Sequence, residues 1–157
     1  MNRQEVLGEL QEKFAADIVE LADRSPRRVY VEIRPDALSR MAAYLFRDRG
    51  ARFNIATGLD TRSHLEILYH FSIESIDLLV SLRVKLDRER PSIQSITGVI
   101  RGADWIEREI SEMLGVEFRG HPNPKRLLLS EEWPEGVYPH RRDYAEWDPD
   151  AIRDRGV

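Results

Sequence analysis

The chain has 157 residues, 41% of them apolar and 33% charged, with 24 Lys and Arg against 28 Asp and Glu, a net charge of −4, and no cysteine. That length and apolar share suit one globular domain with a tail. The acidic balance argues against a dedicated nucleic-acid binder, and the missing cysteine excludes disulfides, thiolate zinc and iron–sulfur ligation by this chain.

Residues 3–22 predict an amphipathic helix, because Leu7, Leu10, Phe14, Ile18 and Leu21 recur on one helical face before Ser25-Pro26 ends the pattern. Residues 28–33 alternate, with Val29, Val31 and Ile33 on one side, and predict a short strand. Pro35-Asp36 opens a second helix with Leu38, Met41, Ala42 and Leu45 as its apolar stripe and Gly50 just past its end. The middle predicts an antiparallel meander with one face in the core. Its strands are 51–57, with Phe53 and Ile55 pointing the same way, then 64–73 and 78–86; their polar faces carry His64, Glu66 and His70, then Ser81, Arg83 and Lys85. A shorter edge element runs from Pro91 to about Thr97. Gly102-Ala103-Asp104 opens a third helix that runs to Leu114 and stops at Gly115. Ile106, Ile110 and Met113 form its apolar side, and Glu107, Arg108, Glu109 and Glu112 decorate the rest.

From Gly120 onward Pro122, Pro124, Pro134, Pro139 and Pro149 interrupt regular structure, while Trp133, Tyr138, Tyr144 and Trp147 stand among charges. The stretch is too aromatic for a typical disordered tail. Composition leaves two alternatives open: an arm that binds a partner through aromatic and arginine anchors, or a segment that packs back on its own domain. The expected fold is therefore α+β, a mostly antiparallel sheet with helices on one face over residues 1–118, followed by an extended arm over residues 119–157 that docks on a partner subunit.

The chemistry of a catalyst is hard to find. His64 and His70 share one face of a strand but are six residues apart, roughly 20 Å, too far to share an ion. His64 with Glu66 supplies at most two metal ligands. There is no Gly-x-Ser-x-Gly elbow, no phosphate-binding glycine loop, and no acid–base pair that stands out among 28 acids. Arg119, His121, Lys125 and Arg126 form a basic patch, but the residues after Leu127 carry eight acids against four arginines, which would repel a phosphate backbone. Gly120-His121-Pro122 is expected to be a tight turn that projects the imidazole.

The run from Glu107 to Tyr144 resembles the C-type subunit family of NADH-quinone oxidoreductase, complex I. Glu107-Arg108-Glu109, Glu112, then Leu114-Gly115-Val116-Glu117-Phe118-Arg119-Gly120-His121-Pro122, then Lys125-Arg126 and Leu127-Leu128 follow that family's order. Gly136, Pro139, Arg141, Arg142, Asp143 and Tyr144 are similar to its closing phrase "GHPLRKDY". Leu114 stands where the family has an aromatic, the last phrase is one residue longer, and "EEWPEGVYP" looks more like homologous subunits of membrane-bound energy-converting NiFe hydrogenases.

The resemblance implies a non-catalytic structural and assembly subunit in the hydrophilic arm of a complex-I-like redox complex, without a cofactor of its own. Its implied partners are the NiFe-hydrogenase-like large subunit and an iron–sulfur small subunit; iron–sulfur clusters and, in hydrogenase-type members, a NiFe centre belong to those partners. The implied interface is Glu107, Arg108, Glu109, Gly120, His121, Pro122, Lys125, Arg126, Trp133, Tyr138, Pro139, Arg141, Arg142, Asp143 and Tyr144. No run approaches about 18 apolar residues, and the N-terminal run MNRQEVLGELQEKF has no apolar h-region or cleavage site. The expected place is thus peripheral, on the cytoplasmic face of the membrane, reached through the complex. Two other readings are a stand-alone metal-dependent enzyme using His64 and Glu66, and a regulatory binding module that has lost its complex.

Overall fold

Asn2 starts the first helix by a reciprocal capping box: its side-chain oxygen accepts from the Glu5 amide at 3.0 Å, and the Glu5 carboxylate accepts from the Asn2 amide at 2.9 Å. Such a cap contributes about 1 kcal/mol and fixes the start of α1, Arg3–Lys13. The computed structural model describes residues 1–144. Along these, β1 (Ile18–Ser25), β2 (Arg28–Ile33), α2 (Leu38–Ala43), β3 (Arg52–Asp60), β4 (Leu65–Ile73), β5 (Leu78–Leu86), β6 (Ser92–Gln94), α3 (Asp104–Leu114) and β7 (Glu117–Arg119) follow in order. A 3-10 turn, Pro35–Ala37, leads into α2, and a π-helical turn, Tyr44–Asp48, continues it.

The expected first helix is two elements. It stops at Phe14, whose carbonyl accepts the amides of Asp17 and Ile18, and the chain reverses into β1. Ile18 and Leu21 sit opposite Ile33 and Val31 of β2. Residues three apart in a regular strand point to opposite faces, but an irregularity between Ile18 and Glu20 brings both to the core side. The same spacing of three imitates a helical face in the sequence.

The main sheet has five strands in the order β1-β2-β5-β4-β3. Only the central β2–β5 pair is parallel; β3, β4 and β5 form the expected antiparallel meander. Leu65, Ile67, Tyr69, Phe71 and Ile73 of β4 and Leu78, Val80, Leu82, Val84 and Leu86 of β5 line the buried face, joined by Val6 and Leu10 of α1 and Met41 and Leu45 of the second helical segment. The mostly antiparallel α+β architecture thus follows the alternating pattern. Phe53 and Ile55, expected to point the same way, do not: a bulge between them sets Phe53 against Phe71 on the core side and Ile55 against His70 on the open side.

The stretch after Pro91 does not extend the main sheet. It forms β6, paired in parallel with β7 as a separate two-stranded sheet beyond α3. That pairing carries the chain back over the helix and aims the following segment along it.

Candidate functional site

Helix α3 carries Asp104, Arg108 and Glu112 at intervals of four residues, on successive turns of one flank. The chain leaving β7 runs along that flank. First, His121 turns inward, its side chain 2% exposed; Nε2 lies 3.2 Å from the Asp104 carbonyl, and Nδ1 accepts the Asn123 amide at 3.0 Å. These partners fit the neutral ring with its proton on Nε2. One turn on, the Arg108 guanidinium donates to the carbonyls of Lys125 and Arg126, both at 2.8 Å. One turn further, Glu112 accepts the amides of Leu127, Leu128 and Leu129 at 3.0, 2.6 and 3.4 Å. A segment without secondary structure must satisfy its backbone elsewhere, and here a helix stripe does so.

The end of this stretch is fastened separately. The His140 amide donates to the Met113 carbonyl at 3.0 Å, and Arg141 donates to the carbonyls of Leu114 at 2.6 Å and Arg88 at 3.1 Å. The last carbonyls of α3, which lack partners within the helix, are thereby satisfied. The Arg142 amide donates to Asp60 at 2.7 Å, and Asp60 is itself ion-paired with Arg88. Asp143 lies 3.9 Å from Arg88. The Trp133 indole donates to the Val137 carbonyl at 2.8 Å and its ring stacks on Tyr144 at 6.2 Å. The Tyr138 ring packs over Gly115, with the Arg141 guanidinium 5.5 Å from its centroid.

Beneath α3 lies a buried polar cluster. Glu107 is fully buried; its carboxylate accepts the Ile96 amide at 2.8 Å and the Ser95 hydroxyl at 2.5 Å, and the Ser95 and Thr97 hydroxyls meet at 2.6 Å. His121 Nε2 stands 3.9 Å from Glu107. Burial raises the Glu107 carboxyl above the usual range, against the opposing effect of its two donors. Burial, with the Glu107 charge nearby, also raises the Tyr69 hydroxyl well above its ordinary value.

These positions correct several expectations. Glu107 belongs to the interior and not to the decorated polar side of the helix. The His121 imidazole points into the protein, although Gly120 does make the tight turn, at φ 76°. Residues 119–144 fold back on the domain, so Arg108, Trp133, Tyr138, Arg141 and Tyr144 make intramolecular contacts. Pro122, Lys125, Arg142 and Asp143 remain exposed; Glu109, Arg126 and Pro139 are half-buried, and Arg126 also donates to the Ser130 carbonyl at 2.6 Å. Trp147, Pro149 and the rest of residues 145–157 lie outside the described residues. An open groove of about 500 Å³ remains between α3 and the returning loop, lined by Arg108, Glu112, Trp133 and Tyr138.

The His64 and Glu66 pair is occupied on its own strand face. His64 Nε2 meets Glu66 at 2.8 Å and Nδ1 meets Ser63 at 2.8 Å, while Glu66 also faces Arg83 at 3.5 Å. His70 is spent on Ser81 at 2.8 Å and Thr57 at 3.3 Å, and burial, then the Arg28 charge, lowers its pKa. Among the described residues no three His, Asp or Glu side chains converge as a metal site. Sequence reasoning missed Asp60, Arg88, Asp104 and Glu112 as fastening points. The four-residue spacing of Asp104, Arg108 and Glu112 was a legible signal; Asp60, 82 positions before Arg142, offered none.

The class so defined is an α+β domain closed by a C-terminal arm that is stitched to its third helix. The chain belongs to the family described as the respiratory-chain NADH dehydrogenase 30 kDa subunit, whose model matches residues 31–149. It is 31% identical over 150 residues to the C-type subunit of the F420H2 dehydrogenase of Methanosarcina mazei, covering 92% of each chain. It is 54% identical over 70 residues to the J-type subunit of the NAD(P)H-quinone oxidoreductase of a Synechococcus strain, covering 44% of this chain and 35% of that one. The match thus spans about a third of the length of this and three other J-type relatives, and 72% of the length of another, from Prochlorococcus marinus strain NATL1A, at 35% identity over 127 residues. It is 28% identical over 148 residues to formate hydrogenlyase subunit 5 of Escherichia coli, covering 92% of this chain and 26% of that one. Among solved structures, the membrane-bound sulfane sulfur reductase, an archaeal respiratory membrane complex, contains a chain of the same fold with a TM-score of 0.81 at 18% identity, covering 97% of this chain and 89% of that one.

Proposed function

We propose that this chain is a non-catalytic structural subunit in the hydrophilic part of a complex-I-like membrane-bound redox complex, of the dehydrogenase or energy-converting hydrogenase type. It docks on a NiFe-hydrogenase-like large subunit and beside an iron–sulfur small subunit, which hold the redox centres. The observation that carries this reading is the match along 92% of both chains to the C-type subunit of a dehydrogenase. The formate hydrogenlyase relative adds support, since a unit of this kind there forms a quarter of a longer chain. The geometry agrees: the most polar buried cluster, around Glu107, is hydrogen-bonded to Ser95 and Ile96 and serves packing. No helix among the described residues is long and apolar enough to cross a membrane. In this reading the chain is peripheral and is held at the cytoplasmic face through the complex.

Affinity purification of the full chain from its native membranes tests this. The expected result is co-purification with a hydrogenase-like large subunit and a cluster-bearing subunit, together with loss of the complex's electron transfer when the chain is deleted. A chain that purifies as a monomer with no such partners overturns the reading.

A further inference from the structure

We propose that the outer edge of β3 is completed by an extended strand of a partner subunit, one that sets uncharged apolar or β-branched side chains beside Ile55, Thr57 and Leu59. This rests on the subunit reading above and deepens it, because most of the aromatic and arginine anchors expected to reach a partner are engaged within the chain. Trp133 and Tyr144 stack on each other, Tyr138 covers Gly115, and Arg108 and Arg141 hold backbone carbonyls.

β3 is one border of the main sheet and pairs only with β4. Among the described residues, no backbone amide or carbonyl of residues 53–59 bonds to anything but β4. A border strand leaves a row of amides and carbonyls pointing outward, and only another extended backbone matches that row at every position. The strand is held ready for such pairing. Arg52 reaches Glu74 at 3.2 Å at one end, and Asp60 is clasped by Arg88 and the Arg142 amide at the other. The register with β4 is unbroken from Ile55 to Asp60. α3 supports the core side, where a Cβ added to Gly58 would meet Leu114 and Ile110. An edge ordered in this way loses little further entropy when a strand is added.

The two borders of the sheet differ. β1 breaks its register twice and carries Glu20, Asp23 and Arg24, features that keep a foreign strand away. Between Arg52 and Asp60, β3 has neither a charge nor a proline. Its open face presents Ile55, 47% exposed, Thr57, and Leu59, 44% exposed. Opposite them in β4 stand His70, Leu68 and Glu66. His70 is held by Ser81 and Thr57, Glu66 by His64 and Arg83, and Leu68 is buried. A charged strand would lose hydration here without meeting a free counter-charge, whereas apolar and β-branched residues form favourable cross-strand pairs with Ile55, Thr57 and Leu59. A ribbon over residues 55–59 buries far less than the roughly 1,200 Å² of a specific stable interface. It therefore suits one element of a larger contact within a complex, and not a free-standing dimer of this chain.

The test compares amide hydrogen exchange, read by mass spectrometry, in the complex purified from native membranes and in the full chain alone. The fast-exchanging amides within residues 53–59 of the free chain are expected to slow about tenfold in the complex. Ile55→Lys places a charge on the exposed edge, and is expected to reduce the chain retained in the complex about tenfold while the thermal midpoint of the full chain stays unchanged. Equal exchange of residues 53–59 in both samples, or wild-type retention of Ile55→Lys, overturns the proposal and leaves the subunit reading intact. Protection of residues 53–59 in the free chain that grows with its concentration would make the edge a contact between two copies, and overturns the proposal as well. A wild-type chain that purifies without any partner overturns both the proposal and the subunit reading.

Discussion

Glu112 Oε1 accepts the amide proton of Leu128 at 2.6 Å, so a helix carboxylate completes the hydrogen bonding of a segment that has no strand or helix of its own. The neighbouring amides of Leu127 and Leu129 share the other carboxylate oxygen. Four residues earlier Arg108 does the reverse, donating to carbonyls of the same segment. Opposite charges a turn apart thus bind the donors and acceptors of one backbone stretch, which fixes the position of the arm along α3.

Glu112→Ala removes the acceptor for these amides, which then turn to water at a half-exposed site. The expected loss is about 1–2 kcal/mol of unfolding free energy, with faster proteolysis between residues 121 and 135. Arg108→Ala has a similar effect, and the double variant loses less than the sum, because the two hold one segment. Denaturant titration with limited proteolysis checks this; additive losses without faster cleavage of the arm would show that the residues do not act as one fastener.

Glu107 gives a prediction with a sign. Its carboxyl pKa is raised above the ordinary 4.5, chiefly by burial. The folded state therefore keeps the proton to higher pH than the unfolded state does, and the stability linked to it is complete below 4.5 and lost as pH rises through the folded value. Glu107→Gln retains an acceptor for the Ile96 amide and turns an NH2 donor toward Ser95, whose hydroxyl can then donate to Thr97 Oγ1 instead, so at pH 7 it is expected to equal or exceed the wild type. Glu107→Ala leaves both partners unsatisfied in the core and costs about 2–4 kcal/mol. Melting curves from pH 4 to pH 8 separate the two variants, and a Gln variant as weak as the Ala variant would refute the account.

The strands of the meander were legible because period-2 alternation is a local property: β4 and β5 needed only their own residues. The α1–β1 boundary was not, since Ile18 and Leu21 keep a helical spacing that a bulge makes compatible with pairing to Ile33 and Val31. Pairing partners fifteen and ten positions away decided it. The motif run around Glu107 carried the family resemblance, yet side-chain direction could not be read there, and Glu107 and His121 turned out to face inward. Asp60 and Arg88 were invisible as clasps because their partners, Arg142 and Arg141, lie more than fifty residues downstream.

Gly115 ends α3 at φ 76°, and a Cβ placed there would overlap the Tyr138 ring. Gly115→Ala carries both the left-handed backbone penalty of about 1–2 kcal/mol and that overlap. Removing the ring should relieve only the second part. The loss caused by Gly115→Ala is therefore expected to be smaller in a Tyr138→Ala background than in the wild type, and a double-mutant cycle in urea measures the difference. Identical losses in both backgrounds would mean that the ring does not rest on this glycine.

His70 sits on the open face of the sheet between Ser81 at 2.8 Å and Thr57 at 3.3 Å, with the Arg28 charge nearby. Burial first, and that charge second, lower its pKa below the ordinary 6.5. The unfolded chain therefore takes up a proton before the folded chain does. Stability linked to His70 is complete above pH 6.5 and declines as pH falls from there toward the folded value. His70→Gln keeps a polar group between the two hydroxyls and does not titrate. Between pH 7.5 and pH 5.5 the wild type is expected to lose more unfolding free energy than the Gln variant, because the other titrating groups are common to both. Equal losses over that interval would show that the imidazole is hydrated enough to protonate freely in the folded state, and that the depression does not arise from its place in the sheet.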